Sequence, residues 1–414
     1  MTPAARAQAA IEILDRFRPL EAGNEPMDRH LIAWGRRSRF AGSGDRAAVA
    51  DLVYAALRRW RSLAWPPMAE DAEPPAGARP RLLALADEDG TLDALFSGLG
   101  HAPAPPTEAE RAWLALRRDA DLAAAPDPVR FDLPDWLAAP MRDSLGERAP
   151  AVLSALGERA PLDLRVNRLR ATPEAARAAL AAEGIAAEPV ALAPAPGAAL
   201  PALPDALRVT AGARALRRAA AYLDGSVEIQ DIASQAVAAF ADARPGERAL
   251  DFCAGGGGKA LALAAAMEGK GEVFAHDGDP RRMSDLPARA ARAGARIRRL
   301  TDPEAAPPCD LVLVDAPCSG SGAWRRNPDA KWGFGSGDLS ALVETQAAIL
   351  DRAAARVAPG GRLVYATCSL LEAENRAQAR DFAARSPDFT LEGDMILTPL
   401  EGGDGFYAAR FRRL

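Results

Sequence analysis

The chain has 414 residues, of which 49% are apolar and 26% charged, enough for two or three domains with a substantial core. A net charge of −5 argues, as a total, against a polyanionic partner. Residues 1–20 hold no cationic stretch followed by an apolar one, and no apolar run approaches the ~18 residues that cross a bilayer, so neither a secretory signal nor a membrane segment is expected. The four cysteines, Cys253, Cys309, Cys318 and Cys368, form no CxxC, and the three histidines are scattered. That argues against a disulfide framework and a metal site, and suits a reducing cytoplasm. A monomer is the expected state.

The N-terminal part, 1–125, reads as helical. In "DRAAVADLVYAALRRW", Val49, Leu52, Val53, Ala56, Leu57 and Trp60 recur at helical spacing, with Asp45 as the expected N-cap. This stretch is basic: Arg36, Arg37, Arg39, Arg46, Arg58, Arg59 and Arg61 stand against Asp45 and Asp51. Such a patch is either a solvated face or a phosphate-binding one. Pro-rich stretches at 66–80 and 101–110 read as connections, and 122–136 as a linker. Residues 126–225 read as a small α/β domain. "LDLRVN" (162–167) and "ALRVT" (206–210) are strands, and Thr172, Pro173 and Gly184 bracket a helix.

From residue 226 to 414 strand and helix alternate, which predicts a doubly wound parallel sheet with helices on both faces. Strands are expected at 248–254, 272–277, 296–301, 310–315 and 361–368. Ligands on such sheets bind beyond the carboxyl ends of the strands. Three features gather there. "LDFCAGGGGKALALAAAM" runs from a strand through Cys253, Ala254, Gly255, Gly256, Gly257 and Gly258 to a helix beginning at Lys259. Bare backbone and free helix N–H groups suit a nucleotide cofactor. Asp277, twenty residues past Gly257, is placed to take ribose hydroxyls. The pattern alone fits a nicotinamide dinucleotide as well as S-adenosylmethionine. "DLVLVDAPCSGSG" puts Asp315 and Cys318 at a second strand end, and "YATCSL" puts Cys368 at a third, with Ser369 as a candidate N-cap for a helix bearing Glu374 and Asn375. Tips of neighbouring strands lie about 5 Å apart, so two thiols and a carboxylate would share one pocket. Only three lysines occur among 51 basic residues, and Lys259 and Lys331 fall inside motifs, where a compact ammonium is the expected need.

The pair "APCSGSG" and "YATCS", with "RRNPDAKW", "AENRAQ", "DGSVEIQDIASQ" and "DGFYAARFRR", resembles the RNA cytosine-5 methyltransferases of the Sun/Nop (ribosomal RNA methyltransferase B-like) family. The N-terminal helices are similar to the NusB-like RNA-binding domain of some bacterial members. The resemblance implies an all-α NusB-like domain, a small α+β RNA-binding domain and a Rossmann-like methyltransferase domain. It implies S-adenosylmethionine as cofactor and RNA, ribosomal rather than transfer RNA, as substrate. Cys368 would add to cytosine carbon 6, Asp315 would hold the base edge, and Cys318 would assist release. Cys253, Ala254, Gly255 to Gly258, Lys259, Asp277, Asp302 and Asp315 would bind cofactor, Asp302 on its adenine side. Arg36, Arg37, Arg58 and Arg59 would bind RNA. Lys331, Arg326 and Asn327 would face RNA or support the active-site loop. Arg165 and Asn167 would either contact RNA or hold two domains together.

One departure stands out. Where the family usually carries Ala-Pro-Gly-Gly-Lys-Thr, this chain has glycine in place of the proline and Ala260 in place of the threonine. Assigned to residue 255, the lost proline predicts a less ordered loop and weaker cofactor binding, which Gly255→Pro would tighten. Two other readings compete. A nicotinamide dehydrogenase would leave the strand-tip thiols without a purpose. A non-catalytic RNA-binding or ribosome-assembly factor would follow if the altered loop had lost the cofactor.

Overall fold

The computed structural model describes residues 1–17, 25–67, 75–194 and 199–414. The Pro-rich connection at 66–80 therefore lies partly outside the described residues. The chain divides into two compact units, one of residues 1–159 with 324–336, the other of 160–323 with 337–414.

The first unit is helical. Its core gathers Leu14, Val49, Val53, Leu57, Leu82, Leu83, Phe96 and Trp113. The basic helix spans Ser43–Arg58, but Gly42 sits at its N-cap. Asp45 lies three residues further in and accepts from Gly42 N–H at 3.1 Å. Residues 122–136 are not a loose linker. They hold a short helix, Asp127–Arg130, and the start of another at Asp135. Buried Asp132 accepts from the Arg61 and Ser62 amides at 2.7 and 2.9 Å and from Ser62 Oγ at 2.7 Å.

The second unit contains two sheets. A four-stranded antiparallel sheet is built from β1 (Asp163–Val166), β2 (Ala186–Pro189), β3 (Ala206–Ala211) and β4 (Val227–Ile229), in the order β2-β3-β1-β4. The helix Pro173–Ala182 covers it. Thr172 Oγ1 accepts from Ala175 N–H at 3.3 Å at the expected N-terminus.

The larger sheet is made of β5 (Arg248–Asp251), β6 (Glu272–Ala275), β7 (Ile297–Arg299), β8 (Cys309–Asp315), β9 (Val357–Thr367), β10 (Phe389–Leu397) and β11 (Phe406–Arg413), ordered β10-β11-β9-β8-β5-β6-β7. The strands from β9 to β7 are parallel, and β10 and β11 join antiparallel. Alternate residues feed opposite faces: Leu311, Leu313, Val364, Ala366 and Ala408 pack on one core, and Val312, Val314, Leu363, Tyr365 and Tyr407 on the other. The chain runs outward from β5 to β7 and returns to β8, so the switch in strand order falls between β5 and β8.

Asn167 joins the two sheets. Buried after β1, its Nδ2 donates to Gly225 O at 2.9 Å and to Ala293 O at 2.8 Å. For Asn167 these bonds are those of a residue that holds neighbouring segments together. Arg165 is also buried and donates to Gln230 Oε1 at 2.7 Å. Asn167→Ala strands two buried carbonyls, and we expect a loss of about 2–3 kcal/mol. A lower urea midpoint, with the slope unchanged, would register it.

Candidate active site

The glycine loop follows β5 directly. Gly255 and Gly257 take φ values of +50° and +81°, a region closed to most side chains. A Cβ on Gly257 would sit 2.2 Å from Leu286 Cδ1. The helix Gly258–Ala266 starts there with no side-chain cap on its N-terminus. Asp277, just past β6, accepts from Gly255 N–H at 2.8 Å and from Asp279 N–H at 2.9 Å, and Arg282 lies 3.3 Å away. These contacts overturn the proline at residue 255: its φ of about −65° and missing N–H are both incompatible with this position. Counted back from Lys259, the family's proline falls at residue 256. Asp302, at the end of β7, is exposed, and its Oδ1 accepts from Glu304 N–H at 2.9 Å.

Lys259 is buried and donates to Asp315 Oδ2 at 2.6 Å, with its ammonium 5.0 Å from the centre of the Phe406 ring. Burial alone would lower this lysine's pKa, but Asp315, Asp251 and Cys368 together raise it above the ordinary value. Asp251, at the end of β5, went unnoticed within "LDFCAGGGG". It is buried, and neither carboxylate oxygen has a partner at full hydrogen-bond geometry, although the Ala260 N–H is near enough to favour its charged form. Burial first, then Asp315, push its pKa from the ordinary 3.8 up to about 7, with Lys259 pulling the other way.

The two thiols meet. Cys318 Sγ and Cys368 Sγ are 3.4 Å apart. The hydrogen bond shared with Cys368 and then burial push the Cys318 thiol well up. Cys253 is also pushed up, chiefly by burial. The two cysteine loops are tied by buried Glu374, which the sequence places near the site without a role. Its carboxylate accepts from Ser319 N–H at 2.8 Å, from Gln346 Nε2 at 3.0 Å, and from the hydroxyls of Ser319 and Ser369. Ser369 is therefore not a helix cap. Leu371 holds the N-cap of the turn Glu372–Glu374, and the helix proper is Arg376–Arg385.

The residues expected to contact RNA differ in their exposure and partners. Segment 324–336 groups with the helices of the first unit. There Lys331 is buried and donates to Arg58 O at 3.3 Å, and Trp332 Nε1 donates to Leu57 O at 2.8 Å. Lys331 thus serves packing, and burial, against the pull of Asp132, lowers its pKa to about 8. Arg58 is half-buried and donates to Arg325 O at 2.8 Å, and Arg59 pairs with Glu88 at 2.6 Å. Arg326 is half-buried and Asn327 exposed, while Arg36, Arg37 and Arg39 are exposed without an ion pair or hydrogen-bond partner among the described residues.

A doubly wound sheet with a glycine loop after its central strand, an acid after the next, and reactive groups on the tips across the switch point defines a nucleoside-cofactor-dependent group-transfer enzyme. Residues 238–412 match the family described as 16S rRNA methyltransferase RsmB/F, and residues 133–197 match the ferredoxin-like domain of RsmF/B-like methyltransferases. The ribosomal RNA small subunit methyltransferase B of Salmonella arizonae is 34% identical over 301 residues, covering 69% of this chain and 67% of that protein. Among solved structures, a methyltransferase homolog from Pyrococcus horikoshii superposes with a TM-score of 0.59 at 24% identity, over 70% of this chain and 98% of that one. NSun6 from the same organism, solved with SFG, superposes with a TM-score of 0.56 at 19% identity, over 68% and 98%. The chain belongs to the RsmB/F methyltransferase family, and its cofactor is S-adenosylmethionine.

The residues present fit that cofactor. It brings two positive groups, a sulfonium and an ammonium, to a site holding a buried carboxylate without a partner at full hydrogen-bond geometry, Asp251. Asp277 keeps lone pairs free for ribose hydroxyls beside a loop bare of side chains. Asp251 also sets a pH dependence. With its folded pKa near 7 and its unfolded one near 3.8, the folded state alone holds this proton in between. Stability therefore falls as pH rises through that window, by an order of a few kcal/mol. Asp251→Asn should flatten this slope and raise the urea midpoint at about pH 8 relative to the parent.

Proposed function

We propose that this protein methylates carbon 5 of a cytosine in RNA, ribosomal RNA being the substrate class, through a transient bond between Cys368 and cytosine carbon 6. The observation that carries the reading is the 3.4 Å approach of the Cys318 and Cys368 sulfurs beside the Lys259–Asp315 pair. Cytosine carbon 5 is a poor nucleophile until a thiolate adds at carbon 6. Bound S-adenosylmethionine supplies an electrophilic methyl group. Cys368 is the adding thiolate, and the Lys259 ammonium lies within electrostatic reach of its sulfur. Asp315 accepts from the base edge while Lys259 fixes its orientation. Cys318 remains a thiol at neutral pH; its S–H proton passes to the Cys368 sulfur as the carbon 6–sulfur bond breaks, and the Cys318 sulfur takes the carbon 5 proton as the ring double bond re-forms, restoring the thiol. The base must leave its stack to enter.

The exposed Arg36, Arg37 and Arg39 support a NusB-like, RNA-contacting role for the N-terminal helices. On this reading the chain comprises three modules, 1–125, 126–225 and 226–414, and works as a cytoplasmic monomer. An ordered loop, held by Asp277, favours a working enzyme over a binding-only relative.

Two single variants test the assignment of the thiols. Cys368→Ala should abolish both methyl transfer from tritiated cofactor and covalent capture of RNA. Cys318→Ala should accumulate a protein–RNA adduct that survives denaturing electrophoresis. The reverse pattern would overturn the assignment.

A further inference from the structure

We propose that Arg289, anchored by Glu228, is a positioning residue that holds the cofactor loop in its binding conformation and replaces the conformational restraint of a proline at 256. Arg289 lies on the helix Leu286–Ala293. One of its terminal nitrogens, Nη1, donates to the carbonyl of Gly256 in the glycine loop, and the other, Nη2, donates to Glu228 Oε2 at 2.9 Å. Glu228 sits on β4 of the small sheet and is buried, and its second oxygen accepts from Arg292 at 2.7 Å. Both carboxylate oxygens are thus engaged, which fixes the plane in which Arg289 presents its fork.

Four consecutive glycines would make a costly loop to order. Gly255 is held through its N–H by Asp277, and Gly257 is pressed against Leu286. Gly256 is exposed, and its one described restraint is the Arg289 bond to its carbonyl. A Cβ at 256 would stand 3.1 Å from Arg289 Nη1. The guanidinium therefore occupies the space that a side chain at this position would press into. Gly256 is not among the glycines with positive φ, and its N–H has no partner among the described residues, so neither feature bars a proline there. Proline and the arginine clamp are two ways of ordering the same peptide, one through a ring and one through an ion pair anchored in the neighbouring sheet. This assigns the small sheet a task in cofactor binding as well as any contact it makes with RNA.

The proposal rests on residues 255–258 being the cofactor loop, and the test separates the two claims. In the cofactor-free protein, Arg289→Ala should speed amide hydrogen exchange across the loop. Calorimetry with S-adenosylhomocysteine should show affinity falling about tenfold, equivalent to ~1.4 kcal/mol, with Glu228→Gln weaker in the same direction. Adding Gly256→Pro to Arg289→Ala should restore most of the lost affinity and slow the exchange again. A purely structural role for Arg289 would lower the melting temperature but would not be rescued by a proline 33 positions away in the chain. Unchanged exchange in Arg289→Ala, or lost affinity that Gly256→Pro fails to recover, would overturn the proposal. Faster exchange with unchanged affinity would uphold the clamp and remove the loop's cofactor role.

Discussion

The chemistry of this site depends on the register in which β8 lies against β9. Their parallel pairing sets Asp315 opposite Ala366, so the chain leaves both strands at the same level. Three residues beyond Asp315 comes Cys318, and two beyond Ala366 comes Cys368. A slip of one residue would turn alternate side chains to the wrong face, and the two cores on either side of the sheet resist it. Glu374 then ties Ser319 to Ser369, one residue past each cysteine. The backbone brings the two loops level, and a buried carboxylate fixes their separation.

A second constraint is electrostatic. One ammonium, Lys259, lies among Asp315, Asp251 and the Cys368 sulfur. A buried charge is tolerated only when well paired, and here the acids outnumber the lysine. Burial first, and then the excess of acid, push the pKa of Asp251 up to about 7. That leaves a latent negative charge where the site would receive a cation, and the folded state bears the cost of its burial.

Much of this was legible in the sequence, and the rest fails for physical reasons. Four of the five parallel strands announce themselves because both of their faces are buried, giving dense apolar runs, and their ends carry the glycines, acids and thiols that a ligand crevice needs; β7, an edge strand with Arg298 and Arg299 exposed, shows only by its place in the alternation. β10 was missed because it is an edge strand whose outer residues, Glu392 and Asp394 among them, break any apolar run. β11 ends in arginines and reads as polar. Asp251 was hidden because an acid beside a glycine loop gives no local sign of whether it has a partner. The basic stretches misled in another way. Sequence counts charges, whereas the fold decides which are already engaged: Arg58 and Lys331 bond backbone carbonyls, Arg59 pairs with Glu88, and most of the arginines between 281 and 299 meet neighbouring acids or carbonyls. Only a structure could show that Arg289 reaches back across 33 residues to the loop.

The scarcity of lysine has a further consequence. Of the three, Lys259 and Lys331 are buried and Lys270 is solvated beside Glu268. The rest of the basic surface is guanidinium. Such a surface keeps its charge at any pH at which a protein stays folded, and grips phosphate oxygens in pairs instead of singly. It also offers acylating enzymes or reagents almost nothing to neutralise. Whatever polyanion it meets, that encounter is governed by ionic strength and not by acetylation.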